Sequence, residues 1–95
     1  MTIQTTVNGN SAEIALEGWL DTQTSPELGT AVDELDSSVT DIVLDFKKLD
    51  YISSAGLRQI VVIYKKVRSL IIRNVTPEIM EIFRMTGFDK RLNIQ

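Results

Sequence analysis

A chain of 95 residues, 43% hydrophobic and 24% charged, has room for one globular domain with its own core. It contains no cysteine and no histidine, which excludes disulfide staples, a thiol nucleophile, a histidine general base, a Ser–His–Asp triad and a Cys/His zinc site. The net charge of −3 is unevenly divided: residues 1–50 hold ten acids against Lys47 and Lys48, net −8, and residues 51–95 hold eight bases against Glu78, Glu81 and Asp89, net +5.

Ile3, Thr5 and Val7 alternate with Thr2, Gln4 and Thr6, Asn8-Gly9-Asn10 supplies a turn, and Ile14 and Leu16 alternate with Glu13 and Glu17. Period-two patterning on both sides of an Asn-Gly pair predicts a hairpin, its second strand running to Gly18-Trp19-Leu20. The polar loop Asp21-Thr22-Gln23-Thr24 follows. Ser25-Pro26-Glu27 then reads as a helix start. Ser25 is the expected cap, Pro26 takes the first position where its missing N–H costs nothing, and Glu27 favours the positive helix end. Leu28, Ala31, Val32, Leu35 and Val39 make an amphipathic stripe, with Gly29 costing about 1 kcal/mol relative to Ala.

Ile42-Val43-Leu44-Asp45-Phe46 reads as a strand covered on both faces, and residues 47–52 as a connection. From Ser54 onward Leu57, Ile60, Val61, Tyr64 and Val67 fall at helical spacing. Leu70-Ile71-Ile72 is another buried-strand candidate. Thr76-Pro77-Glu78 repeats the cap–proline–acid start, and Ile79, Ile82 and Phe83 form a third stripe. Gly87 ends that helix in the left-handed conformation, with Phe88 folding back on Phe83. Leu92 and Ile94 form a short last strand. Met80, Met85, Phe83 and Phe88 read as core, and Trp19 as a half-buried strand-end residue, with a partner anchor as its alternative role. The order ββαβαβα(β) implies an α/β domain over residues 1–95, with a mixed sheet and right-handed crossovers.

The second-half bases Arg58, Lys65, Lys66, Arg68, Arg73, Arg84, Lys90 and Arg91 are spread at spacings that suit solvated faces rather than one nucleic-acid-binding patch. The first six residues carry no basic, apolar leader, and no apolar run approaches the ~20 residues needed to span a bilayer. The expectation is a cytoplasmic protein without direct nucleic-acid or membrane partners.

Chemistry concentrates in residues 45–58, where a buried strand leads through a loop to two serines opening a helix. The first N–H groups of a helix have no intrahelical partner, and the macrodipole makes that end positive. Ser53, Ser54, Ala55 and Gly56 leave the backbone unshielded there. Such a place suits an anion, or a serine that becomes one by phosphorylation. An N-cap worth about 1 kcal/mol is the simpler reading of either serine. Asp45, at a strand end, invites comparison with a receiver-domain phosphoacceptor. That chemistry needs Mg²⁺ held by converging carboxylates, and the first strand ends in Val7-Asn8-Gly9 with no acid. No metal, no cofactor and no set of acid, base and nucleophile is implied, so the chain does not read as an enzyme.

Gly18-Trp19-Leu20-Asp21-Thr22-Gln23-Thr24, Ile42-Val43-Leu44-Asp45-Phe46, Tyr51-Ile52-Ser53-Ser54-Ala55-Gly56-Leu57-Arg58, Arg73-Asn74-Val75-Thr76-Pro77 and Met85-Thr86-Gly87-Phe88 together resemble the STAS domain of bacterial anti-sigma factor antagonists, in order and over essentially the whole chain. The resemblance implies a mixed β-sheet of four to five strands with helices mainly on one side. It implies that the unphosphorylated protein binds an anti-sigma factor serine kinase, that phosphorylation ends the complex, and that a serine phosphatase resets it. The family's acceptor stands two positions before the motif glycine, Gly56, which makes Ser54 the expected acceptor and Ser53 its rival. Asp21, Thr22, Gln23 and Thr24, with Ser53, Ala55, Gly56, Leu57 and Arg58, are the implied partner surface. Two positions depart from the family pattern: Ser53 and Ala55 replace its common Asp and Ser. The link Lys65-Lys66-Val67-Arg68-Ser69 also lacks the usual glycines. A STAS-type sensing or scaffolding module without a phosphoserine switch is the alternative function.

Overall fold

The computed structural model describes residues 1–95. The chain forms β1 (Thr2–Asn8), β2 (Ser11–Leu20), α1 (Ser25–Asp33), β3 (Asp41–Ile52), α2 (Ser54–Lys66), β4 (Ser69–Arg73), α3 (Pro77–Thr86), a 3₁₀ turn (Phe88–Lys90) and β5 (Asn93–Ile94). The expected element order is therefore present. The strands lie side by side in the order β1-β2-β3-β4-β5, with β1 antiparallel to β2 and every other neighbour parallel.

That sequential order decides where the helices go. Each parallel crossover steps in the same direction, and crossovers of one hand stepping one way deliver their helices to one face. Ile14 and Leu16 of β2, Ile42, Leu44 and Phe46 of β3, and Leu70 and Ile72 of β4 pack against Leu28 and Val32 of α1, Leu57, Ile60 and Ile63 of α2, and Ile79 and Phe83 of α3 in one cluster. The Phe46 and Phe83 rings stack with centroids 6.4 Å apart. Each such fully buried side chain contributes about 1.5–3 kcal/mol relative to exposure. The other face of the sheet carries Glu13, Glu17, Val43, Asp45, Lys47, Ile71 and Arg73, half-buried or exposed. Coverage of β3 on both faces is thus corrected to coverage on one.

Residues 47–52 are not a connection but the second half of β3. Between Ala15↔Asp45 and Glu17↔Lys48, and again between Gly18↔Leu49 and Trp19↔Tyr51, β3 advances one residue further than β2. These bulges reset which side chains point inward, so Leu49 and Ile52 rejoin the core although Lys47-Lys48 breaks the alternation.

The helix starts and stripes also differ in part from expectation. Thr76 caps α3 as predicted, its Oγ1 accepting from the Ile79 N–H, and Gly87 ends it with φ 79°. Ser25 does not cap α1; it is buried as the first helical residue. The helix stops at Asp33, so Val39 lies beyond it while Leu35 still packs on the core. In α2 the inward set is Gly56, Leu57, Ile60 and Ile63, with Tyr64 exposed. Gly29 of α1 faces Gln59 of α2, close enough that a Cβ there would meet its amide nitrogen at 3.0 Å. Met85 points to solvent, and Phe83 takes Phe46 rather than Phe88 as its ring partner. The glycine-free link closes because α2 ends on Val67 in an extended conformation, after which the Arg68 and Ser69 N–H groups donate to the Thr40 carbonyl.

The one-sided core predicts opposite sensitivities for two adjacent residues. Leu44→Ala lowers the unfolding free energy by about 2–5 kcal/mol, and Val43→Ala on the open face by about 1 kcal/mol or less, measured by urea denaturation.

Candidate functional site

The parallel strands β2 and β3 end together, with Leu20 beside Ile52, so the loops that follow them emerge at one edge of the domain. The Ser53 N–H donates to the Leu20 carbonyl oxygen at 2.9 Å, which pins the start of α2 to the end of β2. The first turn of α2 then presses onto that same carbonyl. A Cβ at Gly56 would stand 2.7 Å from the Leu20 oxygen, 2.8 Å from Ile52 Cγ1 and 3.0 Å from Leu20 Cγ. No side chain fits there without moving backbone. Gly56 and Leu57 are buried, so they hold the surface in place and present no side chain to it.

The two serines have different surroundings. Ser53 is extended, with φ −96° and ψ 176°, and its hydroxyl accepts from the Gly56 N–H at 3.3 Å. It is the N-cap of α2 and is half-buried. Ser54 is the first helical residue and exposed, with a hydroxyl that forms no hydrogen bond. The N–H groups of Ser54 and Ala55 have no intrahelical acceptor, since the first helical bond runs from the Leu57 N–H to the Ser53 carbonyl. Arg58 is exposed one turn further on, four residues from Ser54 and therefore on the same side of the helix.

Asp21 organises the neighbouring loop. Its Oδ1 accepts from the N–H groups of Gln23 and Thr24, each at 3.0 Å, as an N-cap carboxylate does. The Ser25 N–H and hydroxyl both donate to the Asp21 carbonyl, so the capping function expected of Ser25 sits one turn earlier. The Thr24 hydroxyl has one proton and two nearby acceptors. The Trp19 carbonyl at 2.6 Å is closer than Asp21 Oδ1 at 3.1 Å, and the Thr24 Oγ1 in turn accepts from the Asp21 N–H. The hydrogen bond from the Thr24 N–H, reinforced by that from the Gln23 N–H, outweighs desolvation and holds the Asp21 carboxyl below its ordinary value. Thr22 and Gln23 are exposed at the tip, whereas Asp21 and Thr24 are half-buried and committed to the turn.

Beside this loop the structure gives Trp19, whose alternative role is a partner anchor, a ring partner that sequence patterning does not reveal. Trp19 is 59% exposed and tilts against Tyr51, 44% exposed, with ring centroids 5.4 Å apart. Trp19 is therefore not half-buried. Each ring immediately precedes an inward residue, Leu20 or Ile52, and that parity was the available signal of exposure. Two shallow hollows of about 230 and 250 Å³ lie elsewhere, one on the open sheet face and one beside Tyr64 and Phe88; neither borders Asp21, Ser53 or Ser54.

Asp45 lies on the open face, far along β3 from the serines in sequence. Burial raises its pKa, but the Asn74 amide at 3.0 Å, the Lys47 N–H and the charges of Lys47 and Arg73 together outweigh it, and the carboxyl is net acidified. No group of three or more Asp and Glu side chains gathers at a metal-binding distance.

Two measurements test this arrangement. Gly56→Ala destabilises by about 1–3 kcal/mol through overpacking, despite the better helix propensity of alanine. The Asp21 carboxyl, followed by ¹³C NMR, titrates below its ordinary 3.8. Because the folded pKa is the lower one, its stabilising contribution is complete above the unfolded value and disappears as pH falls through the folded value. A midpoint at or above 3.8 would contradict the capping role.

Comparison with known proteins fits this geometry. The model of the STAS domain family matches residues 2–95. Over 90 residues the chain is 36% identical to BtrV of Bordetella bronchiseptica, a protein assigned as an anti-sigma factor antagonist, covering 90% of this chain and 67% of that one. Among solved structures, an anti-sigma factor antagonist from Mycobacterium paratuberculosis superposes with a TM-score of 0.86 at 20% identity, covering 98% of this chain and 83% of its own. The Bacillus cell fate determinant SpoIIAA in its phosphorylated form gives 0.67 at 21% identity, covering 99% and 91%. With a five-stranded mixed sheet, helices on one face, the Asp21–Thr24 loop beside the start of α2 where β2 and β3 end, and the family model matching residues 2–95, the chain belongs to the STAS-domain anti-sigma factor antagonist family.

Proposed function

We propose that the unphosphorylated protein binds an anti-sigma factor that is itself a serine kinase, thereby freeing a sigma factor, and that phosphorylation of Ser54 ends the complex. A serine phosphatase restores the binding form, and the exchange takes place in the cytoplasm. The protein acts as substrate and binding partner; catalysis belongs to the kinase and the phosphatase. The observation that carries this reading is the contrast between the serines: the Ser53 hydroxyl is spent on capping α2, and the Ser54 hydroxyl is exposed and unpaired.

The physical switch needs no refolding. A neutral Ser54 can lie against a partner and donate a hydrogen bond. A phosphate adds about −1.5 to −2 charges, and its desolvation in an interface costs several kcal/mol unless basic groups pair with it. About 4 kcal/mol corresponds to a thousandfold loss of affinity. In the free protein the same phosphate is well accommodated by the N–H groups of Ser54 and Ala55 and by Arg58 one turn away. Modification therefore favours the free state over the complex. The proposed contact surface comprises Ser54 with Thr22, Gln23 and Ala55; Trp19 and Tyr51, exposed on the opposite face at the same end of the sheet, extend it as aromatic anchors of the kind enriched at interface hot spots.

The test uses the anti-sigma factor kinase encoded nearest the gene for this protein. Incubation with that kinase and ATP, followed by peptide mass spectrometry, yields phosphate on Ser54 and none on Ser53, and Ser54→Asp weakens binding at least a hundredfold, about 2.7 kcal/mol. Phosphate on neither serine, with Ser54→Asp binding as tightly as wild type, would overturn the switch and leave a scaffolding module that binds regardless of serine state.

A further inference from the structure

β1 is an edge strand whose single neighbour is β2. The loop Gly9-Asn10 closes on the Asn8↔Ser11 pair, with φ 64° at Gly9 and no positive φ at Asn10, the pattern of a two-residue hairpin turn. In an antiparallel ladder, hydrogen-bonded and non-hydrogen-bonded pairs alternate. Counting from that closing pair, Thr2, Gln4, Thr6 and Asn8 direct their backbone groups at β2. Ile3, Thr5 and Val7 direct theirs away from the sheet. The outward backbone groups of Ile3, Thr5 and Val7 make no hydrogen bond to another segment.

Edges of this kind are ordinarily protected by charge, proline, a bulge or short length. β1 has none of these: its seven residues, Thr-Ile-Gln-Thr-Thr-Val-Asn, include no charge and no proline, and its register with β2 is unbroken. The opposite edge, β5, is only two residues long. On the helix-bearing side of β1, Ile3 packs against the core, but Val7 remains 54% exposed.

We propose that β1 pairs antiparallel with β1 of a second copy of this chain, across a two-fold axis through Thr5. In that register Thr5 faces Thr5, and Ile3 of each copy faces Val7 of the other. Every pair joins residues whose backbone groups point outward, so each exchanges two N–H···O=C bonds and all the free edge groups are used. Sliding the strands by one residue sets outward groups against inward ones. Sliding by two leaves an Ile3 or Val7 unpaired. The Ile3–Val7 contacts lie on the helix-bearing face and cover the exposed valine, and apolar β-branched residues suit such cross-strand pairs. A two-fold axis sets like against like, so a charge on β1 would repel its own image; the neutral edge fits its own image without penalty. The result is one continuous sheet twice as wide, with both Ser54 sites free. A single strand edge buries less than the roughly 1,200 Å² of a standard stable interface, so the dimer is weak and concentration-dependent.

Because the chain has no cysteine, Thr5→Cys gives a single reporter. Directly opposed residues of a hydrogen-bonded pair stand about 5.5 Å apart at Cα, within the range a disulfide spans. Under copper–phenanthroline oxidation Thr5→Cys cross-links to a covalent dimer, whereas Thr30→Cys, exposed on α1, does not. Sedimentation of the wild type up to about 1 mM shows a reversible dimer. Thr5→Pro, which removes an outward N–H where an edge strand tolerates proline, weakens dimerisation at least tenfold with an unchanged circular dichroism spectrum. A wild type that stays monomeric throughout, or a dimer that survives Thr5→Pro, would overturn the proposal. Equal cross-linking at Thr30 and Thr5 would do the same. Should Thr5→Pro unfold the protein, the cross-linking comparison decides alone.

Discussion

The contact on which the rest of the site depends is the approach of the first turn of α2 to the carbonyl of Leu20. Only a residue without a Cβ permits it, because the nearest obstacle at Gly56 is backbone oxygen at 2.7 Å rather than a side chain able to swing aside. The Ser53 N–H occupies that same oxygen, so one carbonyl at the end of β2 fixes both the position and the entry angle of the helix. Ser54 is displayed beside the Asp21 loop because Leu20 lies immediately before Asp21 and directly under Gly56. The glycine of the motif acts through packing, and the serine two residues earlier is left facing solvent.

The turn after β2 is rigid for a related reason. Asp21 spends its carboxylate on the N–H groups of Gln23 and Thr24, and Thr24 returns a hydrogen bond to the Trp19 carbonyl. A side chain so engaged shapes the loop rather than reaching for a partner. The exposed groups it presents are Thr22 and Gln23, with the Trp19–Tyr51 pair behind them. A surface held in this way loses little conformational entropy on binding, which suits the partner exchange proposed above.

Two ion pairs join the acidic half of the sequence to the basic half. Lys66 pairs with Asp33 at 2.6 Å, and Arg68 makes a two-pronged contact with Asp41, both joining a second-half cation to a first-half acid. These pairs are largely exposed and contribute little to stability individually. They do place the asymmetry across the α1–α2 and β3–β4 seams, where opposite charges meet, while Arg58 remains free of any ion pair near Ser54.

Local pattern alone determined the hairpin, the three helices, the short strands and the cap–proline start of α3, since alternation, 3.6-residue spacing and capping chemistry are properties of neighbouring residues. It also marked residues 53–58 as a helix start rich in small side chains, and the motif resemblance singled out Ser54. The extent of β3 was hidden because two bulges shift its inward parity, and bulges exist only relative to the strand alongside. The cap of α1 was misplaced because a serine before proline looks like a cap locally, while Asp21 takes the role by closing an earlier turn. Which serine keeps a free hydroxyl, why residue 56 carries no side chain and how an exposed aromatic pair forms were decided only in the folded structure. The serine contrast rests on a contact three residues long that both serines could have made, whereas the last two depend on the distance between segments some thirty residues apart, brought together by parallel pairing of β2 with β3, about which sequence periodicity carries no information.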